Sequence, residues 1–349
     1  MSTCRLTRRD FLGTAGAAAS AALLAACTAP TPISTATPVL TATTTSAPTT
    51  PTATPVEIVT ATWEGPLVPQ RPLGKTGRNL SVVGFGGIVV MDETIESAKQ
   101  LVAQAIARGI NYFDVAPSYG NAESRLGPAL APYRDSVFLA CKTEQRLKEG
   151  AASSLQRSLE RLQTDYFDLF QFHGVKNMTE VEAIMGKGGA LEAFLEARDK
   201  GQIKLIGFSA HSEEAALAML DRFQFDTILY PINWACWYAG NFGPQVLQKA
   251  TDMGLGILAL KSLARGQWQA GETRKWYKCW YAPVDDPGLV SLALRFTLGK
   301  PVTAAVSPSH TELLWLACDA ASTLQPLSAD EEAQLVEMSK EVEPVFTAV

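Results

Sequence analysis

From about residue 81 onward the sequence trades short apolar runs for amphipathic helical patterns eight times, and few folds accommodate that rhythm. The apolar runs fall at 81–86, 111–116, 137–141, 167–172, 204–208, 227–230, 256–260 and 302–306. Short runs without strict polar alternation are the pattern of strands covered on both faces, as parallel strands are. The first helical stretch begins at Thr94 and places Ile95, Ala98, Leu101, Val102, Ala105 and Ile106 on one face, with Gly109 as its stop. Further helices read at 122–130, around Leu155, Leu159 and Leu162, and at 190–200, 213–222, 243–253, 287–298 and 311–321. Eight β/α units in roughly 250 residues predict an α/β fold of the (β/α)8 TIM-barrel type. An open doubly wound sheet would show fewer units and an early Gly-rich phosphate turn, and Gly84, Gly86 and Gly87 lack the third glycine of that turn. A turn-rich stretch at 71–77 reads as a small hairpin ahead of the first strand.

Composition limits what such a chain would bind. With 47% hydrophobic residues in 349 there is enough apolar material for a large core, and a formal charge of −5 gives no electrostatic reason to expect nucleic acid. Small molecules are the expected partners. Cys4, Cys27, Cys141, Cys236, Cys279 and Cys318 are scattered, with no pair at metal-ligand spacing. Neither a structural metal nor an obligatory disulfide is expected.

The N-terminal segment reads as an address. Arg8 and Arg9 precede an apolar run at 11–26 that carries no charge, which resembles a twin-arginine export signal. The run is shorter than the ~20 residues a membrane-spanning helix needs. It closes in Leu24-Ala25-Ala26-Cys27, which resembles the box at which bacterial lipoproteins are cleaved and lipidated on the cysteine. The Thr/Pro/Ala-rich residues that follow are too poor in large apolar groups to repay ordering and read as a disordered tether. The expected organisation is therefore a signal peptide at 1–26, a linker at 27–68, a barrel at 69–325 and a C-terminal helix and tail at 326–349. Loss of 1–26 removes three arginines and one aspartate and takes the formal charge from −5 to −7. Membrane association is accordingly expected only through lipid on Cys27, with the folded domain held outside the cytoplasm.

In a (β/α)8 barrel, chemistry sits at the C-terminal ends of the strands. Those exits carry Asp114 and Tyr119 after strand two, Lys142 after strand three, His173 after strand four, and Ser209 and His211 after strand five. Asn233 follows strand six, Lys261 and Ser262 strand seven, and Ser307 and Ser309 strand eight. Any one of these is ordinarily a cap or a hydrogen-bonded structural residue. Carboxylate, phenol, amine and imidazole at three successive exits would converge on one mouth.

The runs Gly-Ile-Asn-Tyr-Phe-Asp-Val-Ala-Pro-Ser-Tyr-Gly at 109–120, Ala-Cys-Lys-Thr at 140–143 and Asp-Leu-Phe-Gln-Phe-His at 168–173 resemble the aldo/keto reductase family. The likeness extends over most of 71–323. It implies a catalytic tetrad of Asp114, Tyr119, Lys142 and His173, with hydride from NADPH reducing an aldehyde or ketone to an alcohol, or the reverse. The residue types suit that reaction, because a phenol can hand a proton to a developing alkoxide and a neighbouring ammonium can acidify it. On this reading Tyr119 is the proton donor, Asp114 holds Lys142, and His173 polarises the carbonyl oxygen.

On the cofactor side the resemblance implies Gly87, Ser209, Asn233, Lys261, Leu263, Gly266, Ser307 and Ser309, but the pattern departs from the family's. Ser209 lacks the Asn that commonly follows it, and Asn233 stands only as a substitute for a Gln. Strand seven is followed by Lys261-Ser262 where Ser-Pro is common. Residues 306–313 carry none of the Lys or Arg that often meets the 2′-phosphate, so NADH stands beside NADPH as a cofactor. These departures motivate an alternative: a non-catalytic nucleotide- or ligand-binding barrel lipoprotein. Trp234, Trp237, Tyr238, Trp268, Trp276, Tyr277, Trp280 and Tyr281 crowd the loops after strands six and seven, where they suit either an apolar substrate or the packing of a lid.

Overall fold

A computed structural model describes residues 58–348. The twin arginine, the apolar run, Cys27 and the greater part of the linker lie outside the described residues.

Eight parallel strands close into a barrel: Val83–Gly86, Tyr112–Asp114, Phe138–Thr143, Phe167–Val175, Ile203–Ala210, Thr227–Pro231, Gly256–Leu260 and Ala304–Val306. They are numbered one to eight here, and the last pairs with the first. Each is followed by helix on the outside, among them Ile95–Ala107, Ala122–Leu130, Lys148–Leu162, Ala190–Asp199 and Glu213–Arg222. The helix starts obey local chemistry. Thr94, Asn177, Ser212, Asp286 and Ser328 each accept a backbone N–H from the first turn that follows, which satisfies one of the donors a helix leaves open.

Side-chain alternation along the strands decides what faces the axis. Tyr112, Phe138, Ala140, Leu169, Leu229, Leu258 and Ala304 fill the barrel interior, while Phe113, Leu139, Cys141, Phe170 and Phe172 pack outward under the helices. The aromatic ring of Phe172 stacks on Phe194 of helix Ala190–Asp199 with centroids 4.0 Å apart, which fixes the height of strand four. Tyr112 has room inside because strand one carries Gly84; a Cβ there would lie 2.4 Å from the Tyr112 ring. By the same period of two, Asp114, Lys142, Gln171 and His173 continue the inward rows toward the mouth.

The predicted hairpin forms, with Gln70–Pro72 paired antiparallel to Asn79–Ser81. Its Leu73 and Leu80 are fully buried and close the floor of the barrel interior. Residues 58–68, expected as the end of a tether, run along the protein: the Val68 N–H donates to Arg108 O at 2.9 Å, and the Arg108 guanidinium covers the Trp63 ring at 3.9 Å. Strand four outlasts its predicted end. It reaches Val175 through an irregularity after Phe172, with Gly174 at φ 61°, so His173 lies inside the strand rather than beyond it.

Elements that the strand–helix rhythm did not announce belong to the mouth. Helix Met178–Met185 and the short helix Trp234–Tyr238 follow strands four and six, and a two-stranded ribbon, Ala264–Gly266 with Ala282–Pro283, ties down the ends of the long loop after strand seven. After helix Ala329–Ser339 the tail returns across that ribbon, where Gln267 N–H donates to Glu343 O and Ala348 N–H to Gly240 O. Among the described residues no helix is long and apolar enough to cross a membrane.

Candidate active site

A cavity of about 350 Å³ opens at the C-terminal ends of the strands. Strand register sets its depth: Gly86 pairs with Asp114, Asp114 with Ala140, and Lys142 with Gln171, so the polar residues rise around the wall from neighbouring strands. Asp114, Tyr119, Lys142 and His173 all line it.

Lys142 is the hub. Its buried ammonium forms an ion pair with the equally buried Asp114, donates to Val115 O at 3.2 Å, and stands 3.5 Å from the phenol oxygen of Tyr119. The carboxylate and the Tyr119 oxygen beside it hold the ammonium well above its ordinary value against the opposing effect of burial. Asp114 is held in turn by two donors on its second oxygen, Tyr112 Oη at 3.1 Å and Gln171 Nε2 at 3.2 Å. A buried charge with a counter-charge and further hydrogen-bond donors on its other oxygen is the arrangement that makes such a pair tolerable.

Tyr119 behaves differently from the sequence-based expectation that Lys142 would acidify it. Burial raises the phenol, the Lys142 charge opposes that, the Asp114 charge adds to it, and the outcome is a phenol above its usual value. At an effective dielectric of about 20, an ammonium near 4 Å is worth roughly 4 kcal/mol to a phenolate, yet desolvation of the phenolate outweighs it in the resting site.

His173 packs edge-on to Tyr119 with ring centroids 5.7 Å apart. Its Nδ1 lies 3.4 Å from Ser118 Oγ and 3.5 Å from Glu144, which leaves Nε2 as the free ring nitrogen. Burial and the nearby Lys142, His211, Lys261 and Arg146 push it well below the ordinary imidazole value, so the ring is neutral at physiological pH. Arg146 braces this strand end by donating to His173 O at 2.7 Å while pairing with Glu180 at 2.8 Å.

Of the residues expected on the cofactor side, Gly87, Ser209, Lys261, Ser307 and Ser309 line the same cavity. Asn233, Leu263 and Gly266 lie away from it. Asn233 is fully buried and caps helix Trp234–Tyr238, accepting from Cys236 N at 2.8 Å. Leu263 is part of the outer hydrophobic core, and Gly266 sits in the ribbon, where a Cβ would come within 2.5 Å of Glu343 O. The aromatic loop divides: Trp280 and Tyr281 face the cavity, whereas Trp276 packs with Trp268, Cys279 and Leu313.

Sequence reasoning passed over Tyr112 and Gln171, although each lies two residues before a tetrad member on the same strand and so shares its inward row. That spacing was the signal that would have found them. Phe346 was out of reach, because the tail stacks it on His211 at a centroid distance of 5.0 Å across a long loop of chain.

A model of the aldo/keto reductase family matches residues 83–286. L-galactose dehydrogenase of Arabidopsis thaliana is 27% identical over 307 residues, 79% of this chain and 94% of its own length. The aldo-keto reductase YhdN of Bacillus subtilis (strain 168) is 30% identical over 217 residues, which span 56% of this chain and 62% of YhdN. Among solved structures, a putative aldo-keto reductase from Pseudomonas aeruginosa superposes with a TM-score of 0.61 at 23% identity, covering 74% of this chain and 98% of that one. The holo form of aldo-keto reductase AKR11C1 from Bacillus halodurans gives 0.60 at 24% identity, covering 77% and 95%. These two likenesses show the barrel fold.

Proposed function

This chain belongs to the aldo/keto reductase family and is an NAD(P)-dependent oxidoreductase of that type, and we propose that it reduces an aldehyde or ketone to the alcohol with Tyr119 as proton donor. The observation that carries the proposal is the placing of the Lys142 ammonium between the Asp114 carboxylate and the Tyr119 phenol, with His173 against Tyr119, in one cavity.

The residues present suit a nicotinamide cofactor. Ser209 Oγ accepts from Gly174 N–H at 2.8 Å and Ser307 Oγ accepts from Gly86 N–H at 3.0 Å, so each hydroxyl keeps its hydrogen for an acceptor in the cavity. Ser209, Ser307 and Ser309 would hold the amide and phosphate oxygens of such a cofactor, which supplies hydride when bound. In the proposed reaction the substrate oxygen rests near His173 Nε2 and Tyr119 Oη. As negative charge gathers on that oxygen, the Tyr119 proton crosses to it, and the phenolate left behind is held by Lys142. Lys142 thus contributes where charge appears rather than by loosening the proton beforehand. Asp114 keeps Lys142 charged and in place, and Tyr112 and Gln171 keep Asp114 in place.

A phenol raised above its usual value stays protonated through the neutral range, and an imidazole lowered below its usual value stays neutral there. For an uncharged aldehyde, kcat is expected to stay flat from about pH 7 to about pH 9 and to fall only above that. A loss of kcat centred near neutrality would contradict the assignment of Tyr119.

Discrimination between the two cofactors is expected to be weak. His310 Nε2 already accepts from Lys278 N–H at 3.1 Å, and Lys278 Nζ is engaged by Met91 O at 2.6 Å, Val89 O at 3.4 Å and Glu93 at 3.7 Å. Neither group is free to meet a 2′-phosphate beside strand eight. The dissociation constants of NADPH and NADH should lie within about tenfold of each other, a gap of roughly 1.4 kcal/mol. A preference of about a thousandfold for NADPH in equilibrium titrations would show that a cation has been overlooked.

Export by the twin-arginine route and anchoring through lipid on Cys27 form part of the proposal and rest on the sequence of the first 27 residues. Mass spectrometry of protein from the membrane fraction tests them: a diacylglyceryl group on Cys27 supports the anchor, and an unmodified Cys27 in that fraction refutes it.

A further inference from the structure

The cavity has a second cationic wall that the tetrad chemistry leaves unused. Lys261 stands at the exit of strand seven in the left-handed conformation, φ 61°, which is unfavourable for a residue with a side chain and persists where the surroundings dictate it. Its ammonium lies 3.3 Å from His211 Nε2, beside the rings of Trp280 at 5.2 Å and Phe346 at 5.3 Å. His211 is itself stacked on Phe346, so both side chains are fixed by packing.

Among the described residues no carboxylate stands within ion-pair distance of Lys261, and Asp114, which lines the same cavity, is already paired with Lys142. The titratable groups around the pair are the Cys236 thiol, the Lys142 ammonium and the neutral His211 and His173 rings, with Lys176 acting on His211. Burial and the Lys142 charge bring the Lys261 amine down to about 7, and burial with Lys261 brings His211 down to about 3. An amine kept in a partly apolar cavity without an anion is a group whose charge a ligand can complete.

We propose that Lys261 and His211 form an anion subsite inside the reducing cavity, so that the carbonyl substrate carries a carboxylate or phosphate at the end away from its reacting carbon. The inference rests on the carbonyl-reducing reading of that cavity and names its substrate class. Lys261 donates to the anion, and His211, accepting from Lys261, aims it. Tyr119, His173, His211 and Lys261 line one cavity, so a single molecule in it can meet both the proton donor and the subsite.

The test compares succinic semialdehyde with its methyl ester, which lacks the charge and carries one more methyl group. Binding to the full chain is measured by calorimetry and by the fluorescence of Trp280 and its neighbours, in the wild type and in Lys261→Gln and Lys261→Arg. The acid is expected to bind at least about tenfold more tightly than the ester, with the preference collapsing to about twofold or less in Lys261→Gln and surviving in Lys261→Arg. At about pH 8 the free amine is largely neutral and the anion recharges it, so binding of the acid should take up a proton while binding of the ester does not. Equal binding of acid and ester by the wild type overturns the inference, as does a preference that survives in Lys261→Gln. If that variant instead keeps the preference and loses about tenfold in NADH or NADPH affinity, the anion that Lys261 meets is the cofactor's diphosphate and the substrate assignment fails. Hydride transfer is a separate readout: its absence in the wild type with the acid preference intact would refute the reductase reading and leave the anion subsite standing.

Discussion

Tyr119→Phe is expected to lower kcat for carbonyl reduction by about 10²–10⁴-fold, the range that a positioned general acid contributes. The substitution removes one oxygen and keeps the ring that packs edge-on against His173, so the cavity keeps its shape. Cofactor affinity should change by no more than about twofold, because the phenol oxygen is aimed at the site of proton transfer and the cofactor-side hydroxyls of Ser209 and Ser307 are untouched. Substrate KM should also move little. A mutation that removes an interaction made only as charge develops lowers kcat and kcat/KM together. Turnover within about threefold of the wild type would mean that the proton comes from elsewhere, and His173 would be the first candidate.

The second large effect is on stability as well as activity. Lys142→Met leaves the Asp114 carboxylate buried with only the neutral donors Tyr112 and Gln171, and breaking a buried pair from one side costs about 3–5 kcal/mol. At about 2.1 cal/mol/K of unfolding entropy per residue, a domain of this size would lose roughly 5–9 °C in Tm. Reductive activity should be lost as well, since the phenolate would form with no cation beside it. The double variant Asp114→Asn with Lys142→Met removes both charges and is expected to recover most of the lost Tm while recovering none of the activity. That split separates the two roles. If Lys142→Met melts within about 2 °C of the wild type, the pair is not the desolvated, mutually dependent unit described here.

The barrel was legible because its signal is repetitive: eight apolar runs at regular intervals survive an error of a few residues at any one of them. The convergence of Asp114, Tyr119, Lys142 and His173 on one mouth was legible for a related reason, since each stands at or near the C-terminal end of an apolar run. Gln171 and Tyr112 escaped because they stand inside strands, where a residue reads as barrel filling unless its partner is known. The acidity expected of Tyr119 failed on magnitude rather than on sign of the interaction; Lys142 does pull the phenol down, but the depth of burial that opposes it is a property of the folded cavity. Asn233 illustrates the converse, an amide at a strand exit whose hydrogen bonds are spent within a helix turn. The tail crossing that brings Phe346 beside His211 and Lys261 depends on contacts between residues more than eighty positions apart, and nothing local in the sequence announces it.

The most direct test of the central claim is isotopic. Full-length protein is incubated with NADPH or NADH carrying deuterium at the transferable position and with a panel of aldehydes and ketones, and the alcohols are examined by mass spectrometry. The tetrad cavity predicts deuterium on the carbinol carbon of the product with the wild type and its near-complete loss with Tyr119→Phe at undiminished cofactor binding. Tight cofactor binding with no deuterium in any product would contradict it and identify the barrel as a nucleotide-binding protein that does not turn over.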